Sequence, residues 1–235
     1  MACSSAIFEN LKAALMRAQS AGVADVGKLR VGSMASFSNG PQRKLIQEFV
    51  AQHPDVDLCF VETERRQMMT MLSHRTLDVV ISVGERQDAC GDSLVLTCAP
   101  VYLAVQTDSR WARLESVNWS DLADATFLIS ARESGPDICD YIIRRATGFG
   151  KAVSIARHQV SRDGVINLVG LGFGVTVVGD HAAGAQYPNV TLVPLGGDDE
   201  CVPFSIIWRP ENDNPALRRF ISLARIEAKQ NGLSA

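Results

Sequence analysis

The chain has 235 residues, 46% of them hydrophobic, enough to bury one large core or two smaller α/β lobes. Its 23 basic and 26 acidic residues leave a formal charge of -3, so no chain-wide positive field draws it to phosphate backbones, although a local basic patch stays open. Six cysteines, at positions 3, 59, 90, 98, 139 and 201, form no C-x-x-C pair and are too sparse for a disulfide-stapled secreted scaffold, which favours reduced thiols.

Glu9, Lys12 and Arg17 interrupt any apolar signal core at the start, and no later run has the length of a membrane span. A soluble, unexported, cytoplasmic protein is expected. Ile7, Leu11, Ala14, Leu15 and Ala18 recur at helical spacing and predict an amphipathic helix within residues 1–26. Its apolar stripe needs cover from the body of the chain, a second copy or a preceding segment, and a linker or intermolecular role is favoured.

A β-α rhythm follows. Residues 29–34 read as a strand, 35–40 as a polar loop and 41–52 as a helix with Leu45, Ile46, Phe49 and Val50 on one side. Residues 56–61 supply the next strand, 64–74 a helix with Met68, Met69 and Leu72 inward, and 78–83 a third, buried strand. Right-handed crossovers make these strands parallel. After Pro100 a second region opens with a strand at 101–105, then a strand at 127–130, a helix at 137–147 and a strand at 153–156. A helix at 163–171 runs into an extended stretch at 173–178, followed by strands at 190–195 and 203–208. A last helix turns Leu217, Phe220, Ile221 and Ala224 to one side.

Gly170, Gly172 and Gly174 lie between a helix and the following strand, whereas a dinucleotide fingerprint needs glycines between a strand and the following helix. Helix termination and close packing account for them better. His53, His74, His158 and His181 lack metal-ligand spacing, so surface or core roles are expected for them, and neither metal nor cofactor is expected. No nucleophile elbow appears, nor a nucleophile with base and orienting acid, so no catalysis is expected.

Several separated pieces resemble the effector-binding domain of LysR-type transcriptional regulators over about residues 27–225. They are Lys28-Leu29-Arg30-Val31-Gly32, His53-Pro54-Asp55-Val56, Leu77-Asp78-Val79-Val80-Ile81, the stretch Trp119 to Phe127, the helix-to-strand passage from Val169 to Val178, and Ile207-Trp208-Arg209 before the last helix. The resemblance implies two Rossmann-like α/β subdomains joined by two crossover segments, a periplasmic-binding-protein-like fold of type 2. Subdomain I takes residues 27–100 and 205–235, and subdomain II takes 101–204. The family normally begins with a winged helix-turn-helix, for which nothing before Ile7 has room, so DNA contact is expected only through a segment absent from this chain. Gly179 stands where the family often has proline.

The resemblance makes Ser36, Phe37, Ser38 and Asn39 a principal effector-binding loop, where hydroxyls and helix N-terminal amides converge on a polar or anionic ligand. Simple capping of the next helix by Ser38 or Asn39 is the equal alternative. Arg65 replaces the family's usual small hydroxyl residue and offers a guanidinium to a carboxylate effector, against the alternative of a solvated pair with Glu62 or Glu64. Ser82, Ser130, Arg132 and Ser161 sit where α/β crevices gather ligand contacts. Arg132 reads equally as an exposed charge, and Ser161 equally as a helix N-cap.

These readings lead to the effector-sensing and oligomerisation domain of a LysR-type regulator. A small polar or anionic metabolite binds between the lobes of a homodimer or tetramer, with no membrane partner. A transporter's solute-binding protein is the main alternative, disfavoured by the missing export signal. A small-molecule enzyme is a distant third.

Overall fold

The computed structural model describes residues 27–232, apart from 35, 85–90, 133, 149–152 and 198–199. The helix expected within 1–26 lies outside the described residues. In chain order the elements are β1 (Gly27–Ser33), α1 (Pro41–Gln52), β2 (Val56–Val61), α2 (Arg65–Ser73), β3 (Val79–Val83) and β4 (Asp92–Gln106). There follow β5 (Thr126–Ser130), α3 (Gly135–Gly148), β6 (Ser154–His158), α4 (Arg162–Gly170), β7 (Thr176–Gly179), β8 (Val190–Pro194), β9 (Cys201–Trp208) and α5 (Pro215–Gln230).

β1 pairs in parallel with β2 on one side and β3 on the other, as helical crossovers require. Side chains alternate across the sheet, so Val79 and Ile81 join the core beneath α1 and α5, while Val80 packs with Met68, Met69 and Leu72 of α2. Burial on both faces explains why β3 is apolar at every position but Ser82. Phe49 of α1 meets Phe220 of α5 edge to face at 5.3 Å, so the last helix returns to close the first lobe.

β9 runs antiparallel to β3 and then to β4, and β4 continues past it to pair with β7 and β8. The strand expected to begin at 101 therefore begins at Asp92. Its first half carries Asp92, Ser93, Thr97 and Pro100 among apolar residues and leaves Val95 exposed, so it lacks a buried strand's composition. β5 and β6 pair in parallel, and a bridge between Phe127 and Val175 docks them beside β7. A Cβ on Gly174 would stand 2.4 Å from the Thr126 carbonyl oxygen, and Gly172 has a φ of +85°, so the glycines serve packing and chain reversal there.

The hydrophobic core divides on the two shared strands. Ala99 and Phe204 belong to the first cluster, Val101 and Val202 to the second. Here the expectation of reduced cysteines is corrected, since Cys98 on β4 and Cys201 on β9 are disulfide-bonded, with Cα atoms 5.6 Å apart. Residue 98 lies opposite 203, and 100 opposite 201, so the antiparallel register sets the two cysteines diagonally on one face within bridging range. A separation of 103 residues hid that pairing from any spacing rule. Cys59 and Cys139 are free.

Candidate functional site

Between the lobes lies a cavity of about 480 Å3, the size of a small-molecule pocket. Met34, Arg65 and Val83 wall it from the first lobe, Val101 and Val202 from the shared strands, and α3, the start of α4 and the end of β7 from the second lobe. Its apolar faces come from residues whose neighbours on the same strands build the cores, so the walls are fixed by packing.

Arg65 is the polar centre of this wall. It opens α2 and is buried, not solvated. Its Nε donates to Asp137 across the cleft at 3.2 Å, Nη1 to Ser82 Oγ at 3.0 Å and Nη2 to the Val83 carbonyl at 2.8 Å. Asp137 belongs to the first turn of α3, where unbonded backbone amides favour a carboxylate. The lobes thus meet through a partly buried ion pair. Arg162, the first residue of α4, makes a second link, to Glu62 at 3.3 Å and to the Met34 carbonyl at 3.5 Å.

The loop of Ser36, Phe37, Ser38 and Asn39 does not line the cavity but reaches across to the second lobe. Ser38 Oγ donates to the His181 carbonyl at 2.8 Å, and Asn39 Nδ2 donates to Asp180 at 3.2 Å. Neither side chain caps α1, whose N-cap is Gly40 at a φ of 87°, followed by Pro41. A glycine free to take positive φ, together with proline at the first helical position, starts the helix without a side-chain cap. Ser36 Oγ accepts from the Ser38 amide, and Phe37 packs edge-on against Phe60.

Ser82 serves the cavity indirectly by holding Arg65. Ser130 lines a narrow recess that shares Ser134, Ile138 and Arg162 with the cavity, and its hydroxyl donates to the Val160 carbonyl at 2.6 Å. Ser161 caps α4, accepting from the Gly164 amide at 3.2 Å, and so sets the helix start that carries Arg162. Arg132 is exposed and outside the cavity walls.

Sequence reasoning missed Asp137, Tyr141, Arg162 and His181 as cavity residues. His181, expected in a surface or core role, is buried in the cavity wall. Burial, and secondarily the charge of Arg162, lower its pKa to about 3, so the ring is neutral. It stacks edge-on against Phe204. Next to it, burial raises the Asp180 pKa, partly opposed by the hydrogen bond from Asn39. Among the described residues no group of His, Cys, Asp and Glu could hold a metal ion, and no helix is long and apolar enough to cross a membrane.

Two α/β lobes on shared strands enclose a small cleft, the architecture of a ligand-binding fold. The model of the LysR substrate binding domain matches residues 24–229, and the chain belongs to that family. It is the effector-binding domain of a LysR-type transcriptional regulator, with the periplasmic-binding-protein-like type 2 fold. It is 23% identical over 221 residues to the regulator ClcR of Pseudomonas putida, covering 92% of this chain and 73% of that one. It is 22% identical to XapR of Escherichia coli (strain K12), at the same coverages. Among solved structures, CbnR, a LysR family regulator, superposes with a TM-score of 0.81 at 21% identity, over 95% of this chain and 78% of that one. The BenM effector binding domain with its effector benzoate gives 0.75 at 18% identity, over 89% and 95%. These relatives are regulators, so the transporter alternative is set aside.

Proposed function

We propose that this domain senses a small anionic or polar metabolite in the inter-lobe cavity and converts occupancy into a change of lobe angle, without catalysis. The lobes are residues 27–100 with 205–235, and 101–204. In the cytoplasm the lobe angle controls transcription through a winged helix-turn-helix beyond this chain, in a homodimer or tetramer. Leu171 and Phe173, 70% and 62% exposed between α4 and β7, are apolar surface available for self-association. BenM binds the aromatic acid benzoate, and a carboxylate here would find the Arg65 guanidinium.

The observation that carries this reading is the bridge from Arg65 to Asp137 across the cavity. A guanidinium already holding an internal carboxylate can exchange it for an external one, and that exchange changes which lobe contacts exist. Isothermal titration of the chain with a panel of carboxylate metabolites, benzoate included, tests it. Binding is expected at one site per chain, weakened at least about tenfold in Arg65→Gln, the loss typical of one charge-assisted hydrogen bond. Unchanged affinity in that variant would reject the site.

A further inference from the structure

The cavity shares its walls with a second chemical feature that effector binding does not use. β4 and β9 form one antiparallel ladder whose last rung is Pro100 opposite Cys201. Beyond it β4 leaves β9 and pairs with β7 and β8 instead. Such a fork is where a ladder frays, because the next backbone groups have a different partner. The Cys98–Cys201 disulfide sits at this end of the ladder, and it encloses almost the whole second lobe in one covalent loop.

The bond lies on the opposite sheet face from the residues of these two strands that line the cavity, next to them along the chain. Val202 follows Cys201 and lines the cleft, as does Val101, three residues after Cys98. Glu200, immediately before Cys201, is ion-paired with Arg145 of α3 at 2.9 Å and accepts a hydrogen bond from Tyr141, itself a cavity residue. Cys98 is exposed and Cys201 half-buried, so a thiolate can approach the bond from solvent. Exposed disulfides are the labile ones, and in a reducing compartment a persistent structural staple is unusual.

We propose that Cys98 and Cys201 are a redox-active pair that fastens the fork of the crossover strands when oxidised and frees it when reduced, so that thiol redox state sets lobe mobility. A glutathione or dithiol reductant supplies the two electrons. Its thiolate attacks the exposed Cys98 sulfur, the S–S bond breaks, and Cys201 leaves as a thiolate that takes up a proton. A second reductant thiol then displaces Cys98 from the mixed disulfide, leaving two protein thiols and one oxidised reductant. Glutathione disulfide drives the reverse reaction.

The test equilibrates the full chain in glutathione buffers from fully reduced to fully oxidised, traps free thiols by alkylation, and maps the peptides by mass spectrometry alongside backbone hydrogen exchange. The Cys98–Cys201 cross-link is expected to form and disappear reversibly within that range. Amide exchange at residues 99, 101–103, 201, 202 and 204 is expected to rise at least tenfold on reduction. Cys98→Ser with Cys201→Ser should show the reduced rates in every buffer, and Cys98→Ser alone serves if the double variant misfolds. A pair that never cross-links, a cross-link that no glutathione buffer opens, or equal exchange rates in the two states would overturn the proposal. None of these outcomes depends on identifying the effector, so the cavity reading stands or falls separately.

Discussion

His181 shows how burial turns a side chain with no motif around it into a measurable one. Its imidazole is held neutral with a pKa lowered to about 3, chiefly by desolvation, against 6.5 when free. Between those values the unfolded chain binds a proton that the folded chain refuses, so stability is full above pH 6.5 and is lost as the pH falls towards 3. One such proton contributes a slope of up to about 1.4 kcal/mol per pH unit. Urea denaturation at pH 7 and pH 4.5 should therefore show a smaller acid loss in His181→Gln than in the parent chain. Equal losses would mean that water reaches the ring. Asp180 acts in the opposite sense. Its raised pKa gives a contribution present at low pH that is lost as the pH rises through the folded value. The two neighbours are therefore separable by titrating each variant.

At the scale of elements, α3 carries the partner that decides how anions compete for Arg65. Asp137 is favoured both by the helix N-terminus and by the guanidinium 3.2 Å away. Asp137→Asn keeps the shape and removes the internal competitor. The tightest carboxylate from the titration panel should then bind about three- to tenfold more strongly, while the unliganded chain loses about 1 kcal/mol of stability. Weaker binding in Asp137→Asn would show instead that the carboxylate itself contacts the ligand. The elements were largely legible because their burial follows local periodicity. α1 and β2 have the expected bounds, and Met68, Met69 and Leu72 face inward as their spacing predicts. The Ser161 cap was legible too, since capping is settled within four residues. Contacts between residues 65 and 137, 39 and 180, or 98 and 201 join distant segments, and no local pattern encodes them. The loop at 36–39 shows the same limit. Its hydroxyls and amide were recognisable as polar groups at a helix start, but their partners came from a turn 141 or more residues away.

For the whole molecule, the lobes are held by two kinds of contact with different strengths. The shared strands β4 and β9 are continuous chain and keep the lobes connected in any state. The polar contacts across the cleft, from Arg65 to Asp137, Arg162 to Glu62, and Ser38 and Asn39 to the turn at Asp180 and His181, exchange with water on opening. Each therefore contributes only about 1 kcal/mol net, so the loss of one shifts the balance between lobe arrangements without abolishing either. Replacing Ser38 and Asn39 together by alanine removes one of these clasps without altering any residue lining the cavity. The radius of gyration of the unliganded variant, measured by small-angle scattering, is expected to exceed that of the parent chain. Effector affinity should fall in proportion to the lost closed fraction, and saturating effector should restore the parent radius, because a ligand that prefers the closed arrangement makes up the missing contacts. If the radius is unchanged while affinity collapses, the loop acts on the ligand directly rather than through closure. If neither changes, the contacts from this loop do not hold the lobes, and the ion pairs alone set the angle.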